Sequence, residues 1–285
     1  MKNIYGRTPI SSLSLIIIFL LSCLWSHAQE KRTEISVAIG GPCSFLKYQT
    51  SGEVVLGNGF NAGLRYSYYL NQGLSIGLGV EYQSYKSAFK LSSLSDSYMV
   101  TDSENENFQF RYKAVNVRED QRLGFINIPV GIQFETPGKT KLYLGAGAKV
   151  GFGVNGKFET KMQNLTTSGY YPQYNVELFS PSFAGFSSTE NIKTGKQTID
   201  LDIAYSAVFE AGVKQLIGNN DSIYVGFYLD YGLNNFVHKD ENKKTVQYSS
   251  PLPVELQYNS LLTSSLTSNE LLVSYGIKLR YAILR

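Results

Sequence analysis

Residues 142–154 read Leu-Tyr-Leu-Gly-Ala-Gly-Ala-Lys-Val-Gly-Phe-Gly-Val. Leu142, Leu144, Ala146, Ala148, Val150, Phe152 and Val154 share one parity; Tyr143, Gly145, Gly147, Lys149, Gly151 and Gly153 share the other. Successive side chains of a strand point to opposite faces, so this stretch predicts a strand with one apolar face and one small or polar face.

Seven further segments repeat the pattern. Their apolar parities begin Ile35-x-Val37, Phe60-x-Ala62, Leu74-x-Ile76, Ile126-x-Ile128, Ile203-x-Tyr205, Ile223-x-Val225 and Leu271-x-Val273. Three connections are short and rich in turn formers: Asn71-Gln72-Gly73, Thr136-Pro137-Gly138-Lys139 and Gly218-Asn219-Asn220-Asp221. The other four, at 44–59, 84–122, 155–198 and 235–270, are long, whereas loops beyond about 15 residues are uncommon in compact soluble domains. Short turns at one end and long loops at the other predict an all-β, eight-stranded antiparallel up-and-down transmembrane β-barrel, with turns in the periplasm and loops outside the cell. Beyond Glu30 no run of 18 apolar residues occurs, so no helix is expected to span a membrane.

The faces support lipid outside and charge inside. The polar parity carries Arg65, Lys149, Lys214, Lys278 and Arg280 against Glu34, Glu81, Asp202, Glu210 and Asp230. Eight strands enclose a lumen just wide enough for side chains to fill, and buried charges must be paired. These ten residues are therefore expected to form a lumenal charge network that plugs the barrel. Phe60, Tyr82, Phe152, Tyr205, Tyr231 and Tyr275 toward the loop ends, and Tyr66, Tyr68, Phe134 and Tyr281 toward the turn ends, are placed as two aromatic girdles. A general diffusion pore is disfavoured, because such pores use about 16 strands.

The N-terminus reads as an address. Lys2 and Arg7 precede the apolar run 13–24, and Ser26-His27-Ala28 supplies small residues before Gln29, which predicts a signal peptide over 1–28 cleaved between Ala28 and Gln29. Leu20-Leu21-Ser22-Cys23 is a weaker, lipobox-like alternative. Residues 29–285 form the barrel domain, with no second domain expected after Leu284. Beyond Gln29, one cysteine (Cys43), one histidine (His238) and no tryptophan remain, which excludes an intrachain disulfide and a His/Cys zinc site. A formal charge of +3 without a basic cluster in the sequence argues against nucleic acid as a partner.

The Ser26-His27-Ala28-Gln29 ending, Phe125-Ile126-Asn127-Ile128-Pro129-Val130-Gly131 and Leu142-Tyr143-Leu144-Gly145-Ala146-Gly147-Ala148 together resemble the Bacteroidetes-type outer-membrane β-barrel proteins, the group that includes PorT-like proteins. The resemblance implies a barrel in the outer membrane of a Gram-negative bacterium and carries no catalytic residue. Pro129 lacks an N–H for the ladder, and a local bulge is expected there.

Other motifs are weak. Gly145-x-Gly147-x-x-x-Gly151 lies inside the alternation rather than opening a helix, so no dinucleotide or other cofactor is expected. Asp102-x-Glu104-x-Glu106 places three carboxylates on one side of an extended loop, a set that suits calcium but lacks the rest of the EF-hand pattern. Phe108, Phe110 and Tyr112 alternate as an extension of the fourth strand, and Tyr170, Tyr171, Tyr174, Phe179, Phe183 and Phe186 crowd the third long loop, either as a contact surface or packed on one another. His238 beside Asp240 is the one candidate base for a barrel hydrolase of lipid or peptide. The leading expectation is a non-enzymatic barrel in contact with outer-membrane lipid, structural or binding extracellular protein or glycan through its loops. An accessory role among envelope secretion or assembly partners is the second reading, and the hydrolase the third.

Overall fold

The computed structural model describes residues 33–240 and 243–285. The signal segment 1–28, its cleavage site at Ala28 and Gln29, and Cys23 lie outside the described residues. Eight long strands run β1 (Thr33–Thr50), β2 (Phe60–Tyr69), β3 (Leu74–Thr101), β4 (Asn107–Glu135), β5 (Thr140–Tyr171), β6 (Ala204–Ile217), β7 (Asp221–Gly232) and β8 (Thr267–Leu284). Each pairs antiparallel with the next, and β8 returns to β1 from Glu34↔Leu284 to Thr50↔Thr267, which closes a ring. Closure leaves no unpaired edge where all eight strands pair; above that, β3 from Leu91 to Thr101 pairs with β4 alone. The ring is uneven, because β2 has 10 residues and β5 has 32.

Turn chemistry sets the short end. Asn71 Oδ1 accepts the N–H groups of Gly73 (2.9 Å) and Leu74 (2.8 Å), and Gly218 takes a left-handed φ of 64° that a side chain would oppose.

At the other end the structure corrects the sequence reading. Most of 84–122 and 155–198, expected as loops apart from the strand extension at 108–112, is strand: β3, β4 and β5 run for 28, 29 and 32 residues. The apolar parity reverses partway along them, so the outward apolar pattern stops well before the strands do. Below it, Ile76, Leu78, Val80, Ile128, Val130 and Ile132 point outward and are exposed. Above it, Tyr85, Phe89, Phe108, Phe110, Leu123, Phe125 and Phe158 point inward and are buried, while Lys86, Arg122 and Lys157 point outward. The extended strands and the segments 233–240 and 243–266 together form a head with an apolar core. Phe236, Val246, Leu261 and Leu262 of that returning segment are buried against the inward rings of β3–β5 and against Leu46 and Leu272. Lys239 fastens it: its ammonium donates to the carbonyls of Leu262 (2.8 Å), Ser264 (2.9 Å) and Thr267 (2.8 Å) and lies 2.5 Å from the buried carboxylate of Glu270.

Pro129 carries no bulge. It faces Lys149 in register on β5, while on β3 the ladder is interrupted between the pairs Leu78↔Val130 and Glu81↔Asn127 with the register unchanged. Gly79 sits opposite, where a Cβ would lie 3.3 Å from the proline Cγ, so a missing side chain accommodates the ring and no extra residue is needed. The bulge lies instead at Gly124/Phe125, opposite Asn155 and Gly153.

Leu262→Ala is expected to cost the docked segment about 2–5 kcal/mol through the cavity it leaves. Limited proteolysis checks this: cleavage within 233–266 should accelerate while the ring keeps its SDS-resistant, boiling-sensitive migration.

Candidate functional site

Below the rim the interior is polar and the exterior apolar. Phe227 is 72% exposed, and Leu64, Leu78, Val130, Leu144 and Ile277 are likewise uncovered; such a continuous apolar band requires a non-aqueous surround. Phe60, Tyr66, Tyr68, Phe134, Phe152, Tyr205, Tyr231, Tyr275 and Tyr281 face outward at its two margins, with Tyr82 half-buried among them.

Inside, charged and polar groups link into one chain along the axis. Near the turns, Lys214 Nζ contacts Glu34 (2.8 Å) and Glu135 (3.1 Å), Tyr69 OH donates to Glu135 (2.6 Å), and Tyr224 OH donates to Glu34 (2.8 Å). Gln133 connects this cluster upward, donating to Glu135 (2.9 Å) and accepting from Arg280 Nη1 (2.9 Å). Arg280 pairs with Glu210, which also accepts from Tyr143 OH (2.8 Å) and lies 3.8 Å from Lys278. Lys278 reaches Glu81 (3.4 Å), and Lys149 joins Glu81 (2.8 Å), Asp230 (2.6 Å) and the Gln83 carbonyl (2.7 Å). Bare glycine positions make the space. A Cβ on Gly226 would lie 2.2 Å from Tyr143 OH, and one on Gly77 would lie 2.2 Å from Arg65 Nε.

Of the ten residues expected here, Glu34, Glu81, Lys149, Glu210, Lys214, Asp230, Lys278 and Arg280 lie in this chain. Arg65 also points inward, but its Nε and Nη2 make no hydrogen bond; the guanidinium lies over Gly77 and lines a cavity of about 70 Å³ with Glu81, Glu210 and Arg280. Asp202 is a correction. β6 begins only at Ala204, so Asp202 precedes the ladder, is exposed, and uses its backbone N–H to donate to the Phe236 carbonyl (2.9 Å). Glu135 takes the fifth acidic place in the lumen. It lies one residue past Phe134, the last of the outward apolar set, and only its shared parity with Asn127 and Gln133 marks it in the sequence. Tyr69 likewise continues the parity of Arg65 and Ser67.

The head holds the remaining candidates. Asp102 Oδ1 accepts the N–H groups of Glu104 and Glu106 (2.9 Å each), its Oδ2 accepts from Tyr171 OH (3.1 Å), and Glu106 accepts from Tyr174 OH (2.8 Å). Among the described residues no group of three His, Cys, Asp or Glu side chains is arranged to hold a metal ion. The aromatic residues of the third loop divide. Phe186 and Tyr171 pack on Phe108, with centroids 5.5 and 5.0 Å away, whereas Tyr174, Phe179 and Phe183 are exposed. Tyr174 and Phe183 line a groove with Val176, Leu178, Leu252 and the acids of 102–106. His238 is exposed and lines a cleft with Ser260, but Ser260 Oγ donates to Glu119 (2.7 Å) and accepts from Leu262 N–H (3.2 Å). Cys43 is a half-buried free thiol in β1.

Glu119, well above the apolar band, is fully buried and also accepts from Gln121 (2.8 Å), Leu261 N–H (2.8 Å) and Thr160 (3.3 Å). Burial raises its pKa above the usual carboxylate value, and these four donors pull it back only in part. At Glu119 the folded head therefore binds more proton than the unfolded chain. The stability that Glu119 contributes should be greatest below about pH 4.5 and fall as pH rises from there through the raised value. Protease resistance of 233–266 should follow that slope, and Glu119→Gln should flatten it. In the lumen, Lys149→Met strands Glu81 and Asp230 and is expected to cost about 3–5 kcal/mol. Urea unfolding from vesicles should show that loss, and adding Glu81→Gln and Asp230→Asn should restore most of it.

The family model for the outer membrane protein beta-barrel domain matches residues 27–238. Among curated proteins none matches the sequence. Similar solved structures include Neisserial surface protein A (10% identity, TM-score 0.34, covering 87% of this chain and 95% of that one) and OprG from Pseudomonas aeruginosa (10%, 0.36, 89% and 97%). A third is Ail, the attachment invasion locus protein of Yersinia pestis, in complex with the heparin analogue sucrose octasulfate (15%, 0.29, 88% and 99%). The assignment rests on the family match, which spans most of the chain. The chain belongs to the outer membrane protein beta-barrel domain family, and its place is the outer membrane of a Gram-negative bacterium.

Proposed function

We propose that this chain is an eight-stranded, up-and-down transmembrane barrel, with its turns in the periplasm and its long hairpins outside the cell. It acts without catalysis and without conducting, as a surface-recognition protein that presents a rigid head. The observation that carries this reading is the core of the head. A barrel that only reinforced the membrane would have no use for strands of about 30 residues closed over Phe108, Phe110, Phe125 and Phe236, since about 9–11 residues suffice to cross. On that core stands the groove of Tyr174, Val176, Leu178, Phe183 and Leu252, with Tyr174 60% exposed and Asp102, Glu104 and Glu106 at its margin. Exposed rings beside fixed carboxylates suit contact with a protein or glycan surface. Two barriers argue against conduction: the ion-paired chain in the lumen and the apolar core above it. Ser260 Oγ is held by Glu119 and so is not poised as a nucleophile for His238, which favours the non-enzymatic reading.

Orientation and closure are testable together. In a Cys43→Ser background, Glu104→Cys should react with a membrane-impermeant maleimide on intact cells, and Lys139→Cys only after lysis. Purified protein in planar bilayers should give no stable conductance steps. Labelling at Lys139→Cys on intact cells, or open channels in the bilayer, would sink the reading.

A further inference from the structure

Three cations stand directly opposite one another on adjacent strands. Lys86 of β3 pairs in register with Arg122 of β4, and Arg122 with Lys157 of β5. All three point outward and are exposed. Like charges placed opposite one another across strands are destabilising, so the row calls for a compensating anion. The nearby acids are engaged elsewhere. Asp120 holds Arg118 (2.6 Å) and Lys161 (3.2 Å), Glu159 holds Lys161 and Lys193 (3.5 Å each), and Glu53 faces Lys90 (3.7 Å). Asp200, exposed beyond Thr198 on the far side of Lys157, forms no ion pair with it. Among the described residues, no carboxylate lies within 4.0 Å of the charged nitrogens of Lys86, Arg122 or Lys157.

Height along the wall identifies the anion. Two residues below the row lie Ser84, Gly124 and Asn155, which are small or polar; below them lie Tyr82, Ile126 and Phe152, with the Phe60 ring 5.9 Å from Tyr82. Those rings form the upper margin of the apolar band, where aromatic side chains mark the membrane–water interface. At about 3.3 Å per residue the cations stand roughly 13 Å farther along the strands, within reach of the headgroups once strand tilt and the long side chains are allowed for. Adjacent strands lie about 4.8 Å apart, so the row spans roughly 10 Å, enough to hold one phosphate bidentately on Arg122 or two phosphates along its length. We propose that Lys86, Arg122 and Lys157 form a binding row for phosphate groups of outer-leaflet lipid. The inference rests on the membrane placement proposed above.

The test uses the full mature chain folded into phosphatidylcholine vesicles doped with lipid A, either phosphorylated or enzymatically stripped of its phosphates. Lipid retained on the protein is counted by native mass spectrometry after gentle detergent transfer. The wild type should retain the phosphorylated lipid with a Kd about tenfold or more lower than the stripped lipid, and the preference should weaken with added salt. Lys86→Gln with Arg122→Gln and Lys157→Gln should abolish the preference, while the charge-matched set Lys113→Gln, Lys139→Gln and Lys196→Gln keeps it. Should the triple variant fail to reach the boiling-sensitive folded form, Arg122→Gln alone should weaken retention at least threefold. Inorganic phosphate should compete no better than an equal ionic strength of chloride, because the site is built for a headgroup held at the membrane. Equal retention of both lipids by folded wild type, or full preference in the folded variant, would overturn the row. Failure of the wild type to insert at all would instead overturn the membrane placement.

Discussion

One constraint governs the molecule: the outward face of β3, β4 and β5 meets two solvents along a single strand. Hydrocarbon requires apolar side chains outside and leaves the polar ones to the lumen; water requires the reverse. Strand alternation satisfies either demand by parity alone. On β4 the outward set passes from Ile132, Val130, Ile128 and Ile126 to Gly124, Arg122, Asp120 and Arg118. Within the same few residues the inward set passes from Glu135, Gln133 and Asn127 to Phe125 and Leu123. The two exchanges occur at one height, because they answer the same boundary.

The interior chemistry follows. A lumen of eight strands admits side chains but little water, so each charge that enters must find partners. The chain from Glu34 through Lys214, Glu135, Gln133, Arg280, Glu210, Lys278, Glu81 and Lys149 to Asp230 supplies them without an interruption, and Arg65 alone of the inward charges named stands outside it, beside Glu210 and Arg280 in the cavity. Aromatic rings take part as polar and quadrupolar partners. Arg280 lies 4.5 Å and Lys214 4.8 Å from the centroid of Tyr224, whose hydroxyl also donates to Glu34. The glycine-rich inward parity of residues 143–153, which looks like a weakness in a strand, gives the long cations of the facing strands room to cross.

The eight strands of the ring, the three turns and most of the inward charges are legible in the sequence because each depends on parity over a short window. What was not legible depended on knowing where parity carries a different meaning. Tyr85 and Phe89 look like loop residues if apolar is taken to mean outward, and Phe108 and Phe110, whose alternation does mark an extension of the fourth strand, give no sign that they face a core. Asp202 has the right parity but lies two residues before β6 begins at Ala204, and no alternation signal marks that start. Glu135 failed for the opposite reason, since its strand ran one residue farther than its apolar face. The groove of Tyr174, Phe183 and Leu252 joins segments distant in sequence, and the row of Lys86, Arg122 and Lys157 exists only through strand register.

The two halves close the barrel by different physics, and this bears on function. Below, closure depends on electrostatic matching, and each partner removed exposes another charge. Above, it depends on packing, with Leu261, Leu262 and Phe236 of a returning segment set among the rings of three strands. A loosened head therefore leaves the lower barrier in place, and a disturbed lumen leaves the packed core above it. Such redundancy suits the proposed surface-recognition role, in which the head meets partners without the envelope becoming leaky. It also makes the head a platform whose shape is set by its own core, so that the exposed rings and carboxylates at its top keep their spacing whatever the lipid below does.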